Sequence, residues 1–196
     1  MFKPLLLSLI LVSSIGVAQA ETKAYKIDPN HTQVHATYLH AGFSNIAIRF
    51  NSVEGEFLFD AAKPTNSSLN IKVPIKSLDT GIEKFDQHLW SADFFDAEKF
   101  PEATFKSTKV TDAGKGKLKL FGDLTIHGVT KAVSFDVTIN GIAPHPMKKT
   151  PWSGFDAVTK IKRSEFGVGK YAPMVGDEVT MRITMEASEA SEAKPQ

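Results

Sequence analysis

What constrains this chain most is a period of two that runs along most of its length. In "LNIKVPIKSL", Leu69, Ile71, Val73 and Ile75 alternate with Asn70, Lys72, Pro74 and Lys76. This is the pattern of a half-buried strand, and Pro74 marks an edge or a bulge. "KGKLKLFGDLTIHG" puts Leu118, Leu120, Leu124 and Ile126 on one face with Gly122, and Lys117, Lys119, Asp123, Thr125 and His127 on the other. "KAVSFDVTING" turns Val133, Phe135, Val137 and Ile139 inward, and "EVTMRITME" does the same with Val179, Met181, Ile183 and Met185. Weaker strands are readable over 25–28, 32–39, 46–60, 103–110 and 155–162. Turn signals such as "DPNH", "AAKPTNSS", "DAGKGK" and "HGVTK" separate them. Eight or nine strands, each with one apolar and one polar face, must close round a single interior as a barrel or a two-sheet sandwich. Long strands with no second layer to cover a flat sheet favour the barrel. The expected class is therefore all-β and mainly antiparallel.

One stretch breaks the rhythm. In "GIEKFDQHLWSADFF", Ile82, Phe85 and Leu89 fall at helical spacing, and Thr80 before Gly81 is placed to cap, so the spacing predicts a short helix over 82–91. Phe85 and Leu89 share a face, whereas Asp86 and His88 point to nearly opposite sides and share no site. With Phe94, Phe95 and Phe100 the segment reads as a lid: an aromatic plug over one barrel end, with Asp93, Asp96 and Glu98 at its rim. If it moves, it is the natural gate.

The chain opens with MFKPLLLSLILVSSIGVAQA, a lone Lys3, an apolar run and an A-x-A site, which reads as an export signal cleaved after Ala20. The run is shorter than the roughly 20 residues that span a bilayer. The expected location is the periplasm, with secretion to the medium as the alternative. Cleavage would leave 176 of the 196 residues, with 22 basic and 22 acidic side chains. A neutral chain lacks the basic footprint of a nucleic-acid binder. There is no cysteine, so disulfides and thiolate chemistry are excluded. The expected organisation is 1–20 signal, 21–188 one barrel domain, and 189–196 a disordered polar tail.

Chemistry-bearing constellations are sparse. The six histidines are His31, His35, His40, His88, His127 and His145. His31 and His35 lie about 13 Å apart on an extended chain and cannot share an ion, so no metal is expected. His127 falls in a turn and reads as structural. No G-x-S-x-G elbow and no phosphate loop is present. Arg163 shares parity with Phe155, Ala157, Thr159 and Ile161, so its guanidinium would point inward and need a partner: Asp93 or Asp96, or an anionic ligand head group. His40 shares parity with Val34 and Tyr38 and is a second candidate at the mouth.

"YKIDPNHTQV", "SLDTG", "DQHLWSADFFDAEKFPEATF", "GDLTIHGVTKAV" and "IKRSEFGVG", in this order over about 160 residues, resemble the YceI-like family of exported bacterial proteins. The resemblance implies a lipocalin-like barrel of about eight strands whose tunnel holds a polyisoprenoid or related long chain, such as an isoprenoid quinone tail, with the head group near the open end. It departs from the family at Ala36, where an aromatic is usual, and at Ile48, where glycine is frequent before "RF". The expected lining is Val34, Tyr38, Phe57, Phe59, Ile71, Val73, Leu118, Leu120, Phe135, Val137, Phe155, Met181 and Ile183. His40 and Arg163 are expected at the mouth, and Phe85, Leu89, Phe94 and Phe95 in the lid. The leading expectation is a non-catalytic carrier of a long-chain amphiphile, with homodimerisation left open. Two rivals stand beside it: an enzyme with a His or carboxylate site at the mouth, and a stress-response interaction protein with a filled core.

Overall fold

A computed structural model describes residues 22–190. The expected signal over 1–20 lies outside the described residues, as does most of the expected tail. The last strand runs to Glu189, and the Ala190 N–H donates to the Ala24 carbonyl.

Eleven strands and one α-helix follow one another as β1 Lys23–Ile27, β2 Gln33–His40, β3 Ser44–Phe50, β4 Glu54–Phe59, β5 Ser68–Pro74, β6 Leu78–Asp79, α1 Glu83–Trp90, β7 Glu102–Gly114, β8 Lys117–Ile126, β9 Val129–Pro144, β10 Pro151–Lys162 and β11 Glu178–Glu189. All pairings are antiparallel, and the sheet closes because β11 holds β1 at one end (Tyr25↔Glu189) and β2 at the other (Met181↔Ala36). In the wall, β1 continues into β2, β3 into β4, and β5 into β6, which makes an eight-stranded barrel. Closure pairs the strands all the way round, although β7 and β9 run on past the ends of their neighbours β5 and β8.

The expected single strand over 46–60 is broken at 51–53, because the wall bends there. The Asn51 N–H turns to the Ser77 carbonyl, and Gly55 takes a φ of 141°, with the Asn70 carbonyl where a Cβ would stand. Only glycine adopts this backbone without strain. The expected strand over 69–78 is broken too. Pro74 ends β5, and a 3-10 turn over Ile75–Ser77 buries Ile75 almost completely before β6 begins. Pro74 has no N–H to carry the ladder on.

The interior is layered. Towards the turns at 59–68 and 144–151, Tyr25, Phe57, Phe59 and Phe155 stack edge to face or tilted with centroids 5.3–5.9 Å apart. In this aromatic floor each ring buries roughly 150–250 Å². Towards the other end the core is Val34, Ile48, Phe50, Ile75, Leu78 and Leu89, packed under α1 and the segment that follows it. Between the two layers the packing is incomplete.

The seam between β1 and β2 carries a charged clasp. The Asp28 carboxylate is buried; its Oδ2 lies 2.9 Å from His31 Nδ1, and its Oδ1 accepts from the Asn30 N–H. Burial alone would raise the carboxyl pKa, but the bonds from His31 and Asn30 hold it below the ordinary value. The His31 imidazole is raised by its bond to Asp28, then by the charges of Asp28 and Glu186, against Lys148. A raised histidine stabilises fully below its unfolded pKa, and this contribution is lost as pH rises through the folded value; a lowered carboxyl behaves in the opposite sense. The wild type is therefore expected to lose thermal stability relative to His31→Gln between pH 6 and 8.5. Paired melting curves check this, and a difference that stays constant with pH would refute the clasp.

Candidate ligand-binding cavity

Above the aromatic floor lies an interior cavity of about 350 Å³. Its walls follow from the period of two: each strand sends alternate side chains inward, and those side chains are apolar. β2 contributes Val34, Ala36 and Tyr38, β5 Ile71 and Val73, and β11 Met181 and Ile183, with Leu120 from β8 and Phe135 from β9. The five other residues expected along the tunnel, Phe57, Phe59, Leu118, Val137 and Phe155, sit lower. They line a separate space of about 90 Å³ at the floor together with Leu120 and Ile183. Leu69, Leu120, Ala157, Ile183 and Met185 line both spaces, so the two lie end to end along the barrel, with the phenylalanine rings around the lower one. Ala36 and Ile48, the two departures from the family pattern, are direct partners across the β2–β3 ladder and both face the upper cavity.

The segment after β6 covers this cavity. Phe85, His88, Leu89, Phe94 and Phe95 all line it. The ring of His88 meets Phe94 edge to face at 5.0 Å, Phe94 lies 6.2 Å from Tyr171, and Phe95 packs on Phe50. Thr80 does not cap α1, which starts at Glu83 with no side-chain cap at Ile82. The buried Asp86 carboxylate instead reaches back and accepts from both the Thr80 N–H and its hydroxyl. Two of the three rim acids are spent on lysines, Asp93 on Lys170 and Glu98 on Lys76.

Arg163 points inward as its parity requires, but neither Asp93 nor Asp96 is its partner. Its Nε donates to the Gly176 carbonyl at 2.8 Å, Nη1 to those of Val168 and Lys170 at 2.7 and 2.9 Å, and Nη2 to that of Val175 at 2.8 Å. Arg163 as a whole is 8% exposed. Burial lowers its pKa, with Asp177 and Tyr38 opposing; burial likewise raises the Tyr38 phenol, with Arg163 opposing. This arrangement has a simple cause. A planar fork of five N–H groups satisfies the carbonyls of a tight loop that has no ladder of its own. Asp177 meanwhile accepts from the Ser164 N–H and hydroxyl. Arg163 is the post round which the loop 167–177 is wound, and that loop brings Tyr171 and Val175 to the cavity.

His40, expected at the mouth, lines the cavity and bridges to Val175. His127 sits at φ 52° in the β8–β9 turn with its ring on Phe100, 4.5 Å away. His145 accepts from the Met147 and Lys148 N–H groups in its own turn. Among the described residues, Asp28, His31 and Glu186 bring donor atoms within 4.8 Å of one another, the spacing a metal ion would need. This grouping was invisible in the sequence, where Glu186 is remote. His31 and Asp28 are bonded to each other, and Glu186 accepts from Trp152 Nε1 at 2.7 Å.

A closed eight-stranded antiparallel barrel with an apolar cavity beneath an aromatic lid defines a lipocalin-like barrel protein. A YceI-like domain matches residues 25–187, and the chain belongs to the YceI-like family. A UPF0312 protein of Vibrio parahaemolyticus is 37% identical over 175 residues, which cover 85% of this chain and 88% of that protein. Among solved structures, BcnA of Burkholderia cenocepacia superposes with a TM-score of 0.74 at 28% identity, covering 82% of this chain and 99% of BcnA. A polyisoprenoid binding domain from Saccharophagus degradans, implicated in plant cell wall breakdown, shares the fold with a TM-score of 0.64 at 10% identity, covering 87% of this chain and all of that domain.

Proposed function

We propose that this chain is an exported, non-catalytic binding protein that sequesters or carries a long-chain amphiphile, an isoprenoid-tailed molecule first among them. The observation that carries the reading is the 350 Å³ cavity, whose lining contains no aspartate, glutamate or lysine and whose one arginine is committed to backbone carbonyls. A volume in the roughly 300–1,000 Å³ range of ligand pockets, walled by hydrocarbon, selects for apolar surface and little else. The open space also argues against a filled core. Acid–base chemistry would fall to His40, His88, Tyr38 and Tyr171, without a carboxylate among the lining residues to orient them. The fold shared with a polyisoprenoid binding domain favours a prenyl chain among possible apolar tails. Tyr38 and His40 are placed to meet its head group. The first twenty residues are the ground for assigning the protein to the periplasm.

Titration with fluorescent chains of graded length tests this. Saturable uptake of one chain per barrel is expected, with affinity rising about four-fold per added methylene while the cavity has room, the equivalent of roughly 0.8 kcal/mol. A prenyl chain should bind more tightly than a saturated chain of equal length. No saturable uptake of either would refute the reading.

A further inference from the structure

We infer that the two turns flanking the cavity mouth form a wedge that docks on a neutral lipid surface; this rests on the reading of the cavity as a lipid site. The tip of the β2–β3 hairpin carries Phe43 in the turn, 90% exposed, and Leu39 at the end of β2, 46% exposed. The loop wound round Arg163 carries Met174, 68% exposed, and Tyr171, 48% exposed. The two are stitched together beside the mouth. The Gly176 N–H donates to the Leu39 carbonyl at 2.8 Å, His40 bridges to Val175, and the Phe43 N–H donates to the His40 carbonyl at 2.9 Å. His40, Tyr171 and Val175 line the cavity, so the exposed apolar tips are continuous with its wall.

Charge singles out these two turns. Neither "LHAGFSN" over 39–45 nor "YAPMVG" over 171–176 contains an acid, a lysine or an arginine. Lys170, next to the second turn, is paired with Asp93. At the opposite end the turns "DAGKGK" and "HPMKKT" are charged, and the exposed Met147 there stands beside Lys148 and Lys149. A side chain of this size offers at most about 200 Å², so at their exposures the four together present roughly 500 Å². A standard protein interface needs about 800 Å² per partner. Apolar tips on convex turns, free of charge, suit the boundary between head groups and acyl chains. A chain taken up there would pass from bilayer to cavity without crossing water.

The test uses the purified protein, a Phe43→Ser/Met174→Ser double variant and phosphatidylcholine vesicles, with two readouts. Flotation should show the wild type bound to vesicles, at a level unchanged by added salt, and the variant at least ten-fold less bound. Transfer of a pyrene-labelled alkyl chain out of the vesicles should speed up in proportion to vesicle concentration for the wild type, and be slow and independent of it for the variant. Uptake of the same label from dilute aqueous solution should be equal for the two. Vesicle binding that is absent in the wild type, or equal in the variant, would overturn the inference. So would concentration-dependent dimerisation that the double substitution abolishes in place of vesicle binding, since the tips would then meet a second copy. Loss of uptake from solution by the wild type would instead count against the lipid-binding reading, and flotation would still decide the docking.

Discussion

Ala36→Trp is expected to abolish ligand uptake, with affinity falling at least 100-fold while the barrel stays folded. Ala36 lies opposite Ile48 on one side and Met181 on the other, and its methyl group faces the cavity. An indole rooted there enters the 350 Å³ space that the proposal assigns to the ligand. A 100-fold loss corresponds to about 2.7 kcal/mol, which is less than one well-buried chain segment contributes at roughly 25 cal/mol per Å². Overpacking a filled core costs about 1–3 kcal/mol, so a filled core and an open cavity give different results. With an open cavity the variant should melt within a few degrees of the wild type. Probe titration and melting on the same samples decide this, and wild-type affinity in the variant would move the binding site elsewhere.

Arg163→Met should be the most damaging single substitution at the mouth. Methionine keeps the apolar stem and removes all the donors, leaving the carbonyls of Val168, Lys170, Val175 and Gly176 without their partner. Hydrogen bonds from a charged donor are worth about 1.5–3 kcal/mol each, and groups left buried and unpaired cost a similar amount. A loss of more than about 3 kcal/mol in urea unfolding is expected, together with collapse of amide protection over 167–177. Arg163→Lys should recover little, since one ammonium cannot span four carbonyls. Because the guanidinium is engaged with the loop, the variant should weaken alcohol-headed and phosphate-headed chains alike. A selective loss of the phosphate-headed chain would restore Arg163 to a head-group role.

The period of two made the barrel legible, because an inward parity shared by so many strands has few other uses. It also placed Val34, Ile71, Met181 and Ile183 on the cavity wall, since a strand's facing is local information. It did not separate wall from floor. Phe57, Phe59 and Phe155 have the same parity as the cavity residues, and only their stacking across the barrel shows that they group round the lower space. The breaks at 51–53 and 75–77 were hidden for a related reason, as a bend leaves the alternation of side chains largely intact. The contribution of residues 167–177 to the mouth had no periodic signal at all. It depends on one arginine that meets four carbonyls up to thirteen residues away. Lid residues Phe85 and Leu89 were readable because α1 is amphipathic, whereas the bond from Asp86 back to Thr80 was not.

If the cavity is a lipid site, the protein recovered from its own host should carry the lipid with it. Native mass spectrometry of gently purified protein, followed by organic extraction of the same sample, should show one apolar-tailed amphiphile per barrel, released by solvent and absent from Ala36→Trp prepared in parallel. A wild-type protein that carries no extractable lipid, and takes up none when offered prenyl or fatty chains, would contradict the account.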